Sequence, residues 1–123
     1  MTFEKFARGQ SAETVTEVTA DLCINRMGRA GAEVLSTPSL LHLMELTAIK
    51  ASEPYLPAGH TTVGYAVDRL RHLAATPLGG TVTVKAVLTK VDRNRLTYDI
   101  EAYEGDQKIG VATHKRAIIS MDE

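Results

Sequence analysis

Three strand-like stretches near the C-terminus, Thr81 to Asp92, Arg95 to Glu104 and Gln107 to Ser120, are separated by joins too short to do anything but turn back. Asp92-Arg93-Asn94 and Glu104-Gly105-Asp106 leave room only for hairpins, so the three strands are predicted to lie antiparallel and side by side. Val82, Val84, Ala86 and Leu88 alternate along the first of them, which makes one face of the sheet apolar. An apolar sheet face has to be covered, and that requirement constrains everything upstream. Thr61 to His72 reads as another strand, and Glu13 to Asn25, rich in threonine and valine, as a further one.

One long helix is available as the cover. Proline tolerates the first helical position, where no hydrogen bond is lost, and Thr37 before Pro38 is expected to cap the free amides. Leu40, Leu43, Met44, Thr47 and Ala51 follow at helical spacing, and Pro54 and Pro57 predict a stop near Glu53. The expected architecture is α+β, an antiparallel sheet wrapped around one long central helix, with the remaining sheet edge or face buried by a second copy of the chain. Residues 1–12 are expected to form a loose N-terminal arm and residues 13–123 a single domain. Arg26 to Glu33, with Gly28 and Gly31, reads as a flexible loop.

Composition narrows the function classes. A net charge of −1 with 24% charged residues does not indicate a basic face for nucleic acid. No apolar run approaches the ~20 residues that span a bilayer, and Met1 to Arg8 lacks the apolar stretch of a signal peptide. The single cysteine, Cys23, cannot pair within the chain, and its mid-strand position suits a small core residue. The cytoplasm is the default location. No glycine-rich dinucleotide or phosphate loop appears, and no Gly-x-Ser-x-Gly, which leaves Ser36 and Ser39 as nucleophiles by type only.

Chemistry concentrates on three residues. Glu45 has mainly apolar neighbours, and a carboxylate that loses hydration there becomes a stronger base; the plainer reading is an acid that faces solvent or pairs with a lysine such as Lys50. Thr37, with Pro38 and Ser39, sits at a helix start whose free amides suit a carbonyl oxygen gaining negative charge. His72 ends a strand, on the face shared by Thr62, Gly64, Ala66, Asp68 and Leu70, and histidine titrates near neutrality. A hydroxyl, a base and a proton carrier are parts that acyl transfer uses. The eight residues from Thr37 to Glu45 span a helical rise of ~12 Å, too far for contact. The chain is then non-helical at first, or substrate and His72 bridge the gap, or a second subunit supplies one partner. His42 and Glu45 share a helix face, but no third ligand accompanies them and no metal is expected. Lys115 and Arg116 are candidates for binding phosphates.

The segments Val34-Leu35-Ser36-Thr37-Pro38, Leu43-Met44-Glu45, Thr62-Val63-Gly64, His72 to Pro77, Gly80 to Val84 and Gly110 to Arg116, in this order and spacing, resemble the fluoroacetyl-CoA thioesterase-like family of the hotdog fold. The resemblance runs from about Val15 to Ile119. It implies a homodimer that hydrolyses acyl-CoA thioesters without a cofactor, using Thr37, Glu45 and His72, with Gly64 as the matching glycine. It also implies a phenylalanine lid before the threonine. Arg26 to Ser36 contains no aromatic residue, so thioester chemistry is implied and fluoroacetyl selectivity is not. Two rival readings follow. One is a hotdog protein that binds an acyl-CoA or other small ligand without turnover. The other is an enoyl-thioester hydratase, which usually carries a histidine–aspartate pair on the central helix; His42 is present, but no aspartate occurs from Glu33 to Val67.

Overall fold

A computed structural model describes residues 3–122; Met1, Thr2 and Glu123, at the ends of the expected arm and domain, lie outside the described residues. The elements are β1 (Ser11–Glu17), β2 (Cys23–Ile24), β3 (Val34–Leu35), α1 (Thr37–Ser52), β4 (His60–His72), β5 (Thr81–Asp92), β6 (Arg95–Glu104) and β7 (Gln107–Ser120). Five strands form one antiparallel sheet in the order β1-β5-β6-β7-β4, and β2 pairs with β3 in a separate two-stranded sheet.

The predicted apolar face is the one that α1 covers. Val82, Val84 and Ala86 of β5 are fully buried, together with Leu96, Tyr98 and Ile100 of β6. From the helix, Leu40, Leu43, Met44, Ala48 and Ala51 pack onto them. Side chains of the helix crowd Gly110 of β7. A Cβ there would lie 2.8 Å from Leu40 Cδ2 and 3.2 Å from Met44 Cε, so only glycine lets the two side chains seat without adjustment.

Three expectations need correction. Residues 3–10 are not a loose arm. Phe6 is buried against Tyr55, with ring centroids 5.8 Å apart, and the Gly9 amide donates to the Leu88 carbonyl. The strand expected over Glu13 to Asn25 starts at Ser11 and ends at Glu17, because Thr19 to Leu22 turn; Cys23 then lies half-buried on β2. The helix cap is Ser36, not Thr37. Ser36 Oγ accepts from the Ser39 amide, which moves Thr37 to the first helical position and Pro38 to the second.

β4 departs from regular alternation. Its register against β7 slips between Gly64 and Ala66 and again between Asp68 and Arg71, and Arg69 in the second bulge has φ 54°. One bulge reverses the facing of the residues that follow, and the second restores it. Gly64 and His72 therefore face the helix side opposite Arg116 and Gly110, while between them Val67 faces inward opposite His114. Ala66 and Asp68, expected on the His72 face, point outward instead, and Asp68 meets Lys115 at 3.6 Å.

Truncating Leu40, which is fully buried over Gly110, should destabilise the fold by ~2–5 kcal/mol through lost burial and an unfilled cavity. A urea midpoint for Leu40→Ala within error of the parent would contradict this packing.

Candidate active site

The start of α1 is held by neighbouring loops. The Leu35 amide donates to the Thr76 carbonyl at 2.9 Å and the Ser36 amide to the Leu22 carbonyl at 2.9 Å. The chain leaving β4 is pinned in turn, since the Leu73 amide donates to the Ile109 carbonyl at 2.7 Å. These bonds bring the end of β4 against the start of the helix. Because Ser36 has taken over capping, the Thr37 hydroxyl is free to turn outward, and Thr37 Oγ1 and His72 Nδ1 share a hydrogen bond of 2.8 Å. His72 Nε2 is buried and finds no hydrogen-bond partner among the described residues. Burial pushes the His72 ring below its usual titration range, so it is held neutral near physiological pH.

A cleft of about 520 Å³ opens beside this pair, lined by Ile24, Val34, Leu73 and Ala75 as well as Thr37 and His72. It is mainly apolar, with its polar groups at the helix start. A larger groove of about 580 Å³ lies on the outer face of the sheet among Lys85, Asp99, Glu101 and Thr113, away from these groups.

Glu45 belongs to a second cluster. Gly64 marks its centre: a Cβ at that position would lie 3.0 Å from His114 Cε1, 3.1 Å from Arg116 Nη1 and 3.3 Å from Glu45 Oε2. Glu45 is half-buried, and Gly64 is exposed at the mouth of the cluster. The expected setting of Glu45, an acid among apolar side chains, is therefore incomplete, because a buried cation faces it. Arg116 is 5% exposed and bonded to Thr62, so it is not the surface phosphate ligand that was expected. Lys115 lies on the outer face with Asp68. Arg116 was singled out in the sequence for its charge; His114 and Thr62, which hold it, were not. Strand parity would have revealed them, since His114, Arg116 and Ile118 alternate on the inner face of β7.

The helix is unbroken from Thr37, so the two clusters stay apart within one chain. Gly64 and His72 also pair six residues apart on β7, opposite Arg116 and Gly110, roughly 20 Å along the sheet. Ser39 contributes its amide and hydroxyl to the Ser36 cap, and Pro38 has no N–H to offer. The Leu40 amide donates to the Ser36 carbonyl. The expected set of helix-start amides thus narrows to that of Thr37. His42 is exposed, and among the described residues no three His, Cys, Asp or Glu side chains gather as metal ligands. No described helix is long and apolar enough to cross a membrane.

Burial also disfavours a charged ring at His114. Both histidines bind protons more readily in the unfolded chain, whose histidines titrate near ~6.5. Their burial therefore costs stability only as pH falls below that value, where the unfolded state takes up protons that the folded state refuses. The urea midpoint should fall between about pH 8 and about pH 5. A flat profile over that interval would contradict the burial of the two rings.

Residues 18–122 match the family model described as fluoroacetyl-CoA-specific thioesterase, FlK. The fluoroacetyl-CoA thioesterase of Streptantibioticus cattleyicolor is 41% identical over 91 residues, covering 74% of this chain and 65% of that relative's length. A mutant of FlK solved in complex with fluoroacetate and CoA superposes with a TM-score of 0.82 at 32% identity, covering 94% of this chain and 97% of the other. A hot-dog-like protein from Thermanaerovibrio acidaminovorans superposes with a TM-score of 0.85 at 25% identity, covering 97% of this chain and 87% of the other. The fold is a hotdog, a sheet wrapped on one helix, and the chain belongs to the fluoroacetyl-CoA-specific thioesterase family.

Proposed function

We propose that this protein hydrolyses acyl-CoA thioesters as a homodimer. The observation that carries the reading is the 2.8 Å bond between Thr37 Oγ1 and His72 Nδ1, at the mouth of an apolar cleft and at the start of the helix. Family membership and the likeness to an enzyme solved with CoA support the same substrate class.

The dimer answers the separation of the two clusters. β4 is an edge strand, and Val63, Tyr65 and Val67 on it are exposed, as is Leu46 on α1. An open edge with apolar side chains favours pairing with a second strand. Two copies of β4 pairing antiparallel about a two-fold near Asp68 would bring His72 of one subunit opposite Gly64 of the partner subunit. Each site would then combine Thr37 and His72 from one chain with Glu45 and Gly64 from the other.

In that site the Thr37 amide holds the thioester oxygen as it gains charge. Glu45 takes a proton from water as the water oxygen bonds to the carbonyl carbon. The neutral His72 ring accepts from Thr37 at Nδ1 and so orients the helix start, while protonated Glu45 returns its proton to the departing CoA thiolate as the C–S bond breaks. Glu45 is thereby restored as the carboxylate, and the products are the carboxylic acid and the free thiol. Direct attack of Glu45 on the carbonyl, through a short-lived anhydride, has the same balance.

Thiol release from short, branched, aromatic and fluorinated acyl-CoAs tests this. Glu45→Gln and His72→Ala should each lower kcat by about a hundredfold or more. Parental rates in both would overturn the assignment, and ligand-induced thermal stabilisation without thiol release would favour the binding-only reading. The parent should sediment as a dimer, and Tyr65→Asp should weaken that dimer.

A further inference from the structure

Arg116 is a cation almost without water, and burial pushes its guanidinium below its usual range while the Glu45 carboxylate supports its charge. Its nitrogens are spoken for: Nε donates to Thr62 Oγ1 at 2.9 Å, Nη2 to the Thr62 carbonyl at 3.0 Å and Nη1 to His114 Nε2 at 3.2 Å. The third bond requires a lone pair on Nε2, because a guanidinium can only donate. The other side of the ring decides where the proton sits. His114 Nδ1 is 3.0 Å from the Ala66 carbonyl oxygen, which can only accept, so Nδ1 carries the hydrogen. With both nitrogens committed, the ring has no site for a second proton. The titratable and charged groups around it are Glu45 from α1, Tyr98 from β6 as its register partner, and Arg116 on its own strand; β4 presents Gly64, the Ala66 carbonyl and Val67, which carry no charge.

We propose that His114 is a positioning residue of the candidate site: locked as the neutral Nδ1–H form between the Ala66 carbonyl and Arg116, it sets the direction in which the guanidinium faces Glu45 beneath Gly64. The first bulge of β4 makes this geometry, since it turns the Ala66 carbonyl toward a ring that a regular strand would meet in a different register. A proton on Nε2 would remove the acceptor and set an imidazolium against the guanidinium. Arg116 would then have to leave its place behind Glu45.

The catalytic consequence rests on the reading of Glu45 as a reacting group; the lock itself does not. Long-range proton–nitrogen NMR of the parent protein at neutral pH should therefore find His114 protonated on Nδ1 and bare on Nε2, and a ring protonated on Nε2 overturns the proposal whatever the enzyme does. On the acyl-CoA hydrolysed fastest, His114→Leu should lower kcat by about tenfold to a hundredfold and change KM by less than about threefold. His114→Gln, whose amide oxygen can accept from Arg116 in place of Nε2, should recover part of the loss. A folded Leu variant with parental kcat, or Leu and Gln variants that lose activity equally, would refute the positioning role. A parent without thiol release would instead refute the hydrolysis reading and leave the NMR result to decide the lock.

Discussion

The contact on which the molecule depends is that of α1 with the inner face of the sheet at Gly110. Leu40 and Met44 approach that residue closely enough to exclude a Cβ, and the apolar residues of β5 and β6 close over the rest of the helix. Hydrophobic burial drives the wrap, and the missing Cβ lets the tips of Leu40 and Met44 seat against β7. The seating matters because the ends of the helix-facing elements carry the chemistry. A helix held further out would take Thr37 away from His72 and Glu45 away from Arg116.

Much of this was legible in the residues. β5, β6 and β7 begin and end as expected, because hairpin joins and period-two alternation are local signals. The helix was legible for the same reason. The cap was displaced by one residue because serine and threonine both cap well, and Ser36 and Thr37 stand side by side; tertiary bonds to Leu22 and Thr76 make the choice. That one-residue shift has a chemical result, since it frees the threonine hydroxyl for His72.

The rest was hidden in β4. Strict alternation assigns Ala66 and Asp68 to the face of His72, and two bulges that no residue pattern announces reverse the intervening stretch. Without them Val67 would face out and the Ala66 carbonyl would not meet His114. A buried arginine was equally hard to foresee, because a charge next to a lysine reads as solvated surface. Its partners Thr62 and His114 are ordinary residues whose value appears only when strand register brings them to the same place.

The buried guanidinium also limits how such a chain can diverge. Thr62, His114 and Arg116 are each polar inside a largely apolar interior for the sake of the others, and Gly64 is small because they crowd it. Replacing one of the four leaves the other three poorly suited to the space they occupy. Descendants of this sequence would therefore tend to keep the group whole or abandon it together, so these four positions would drift as a block while the hairpins around them vary freely.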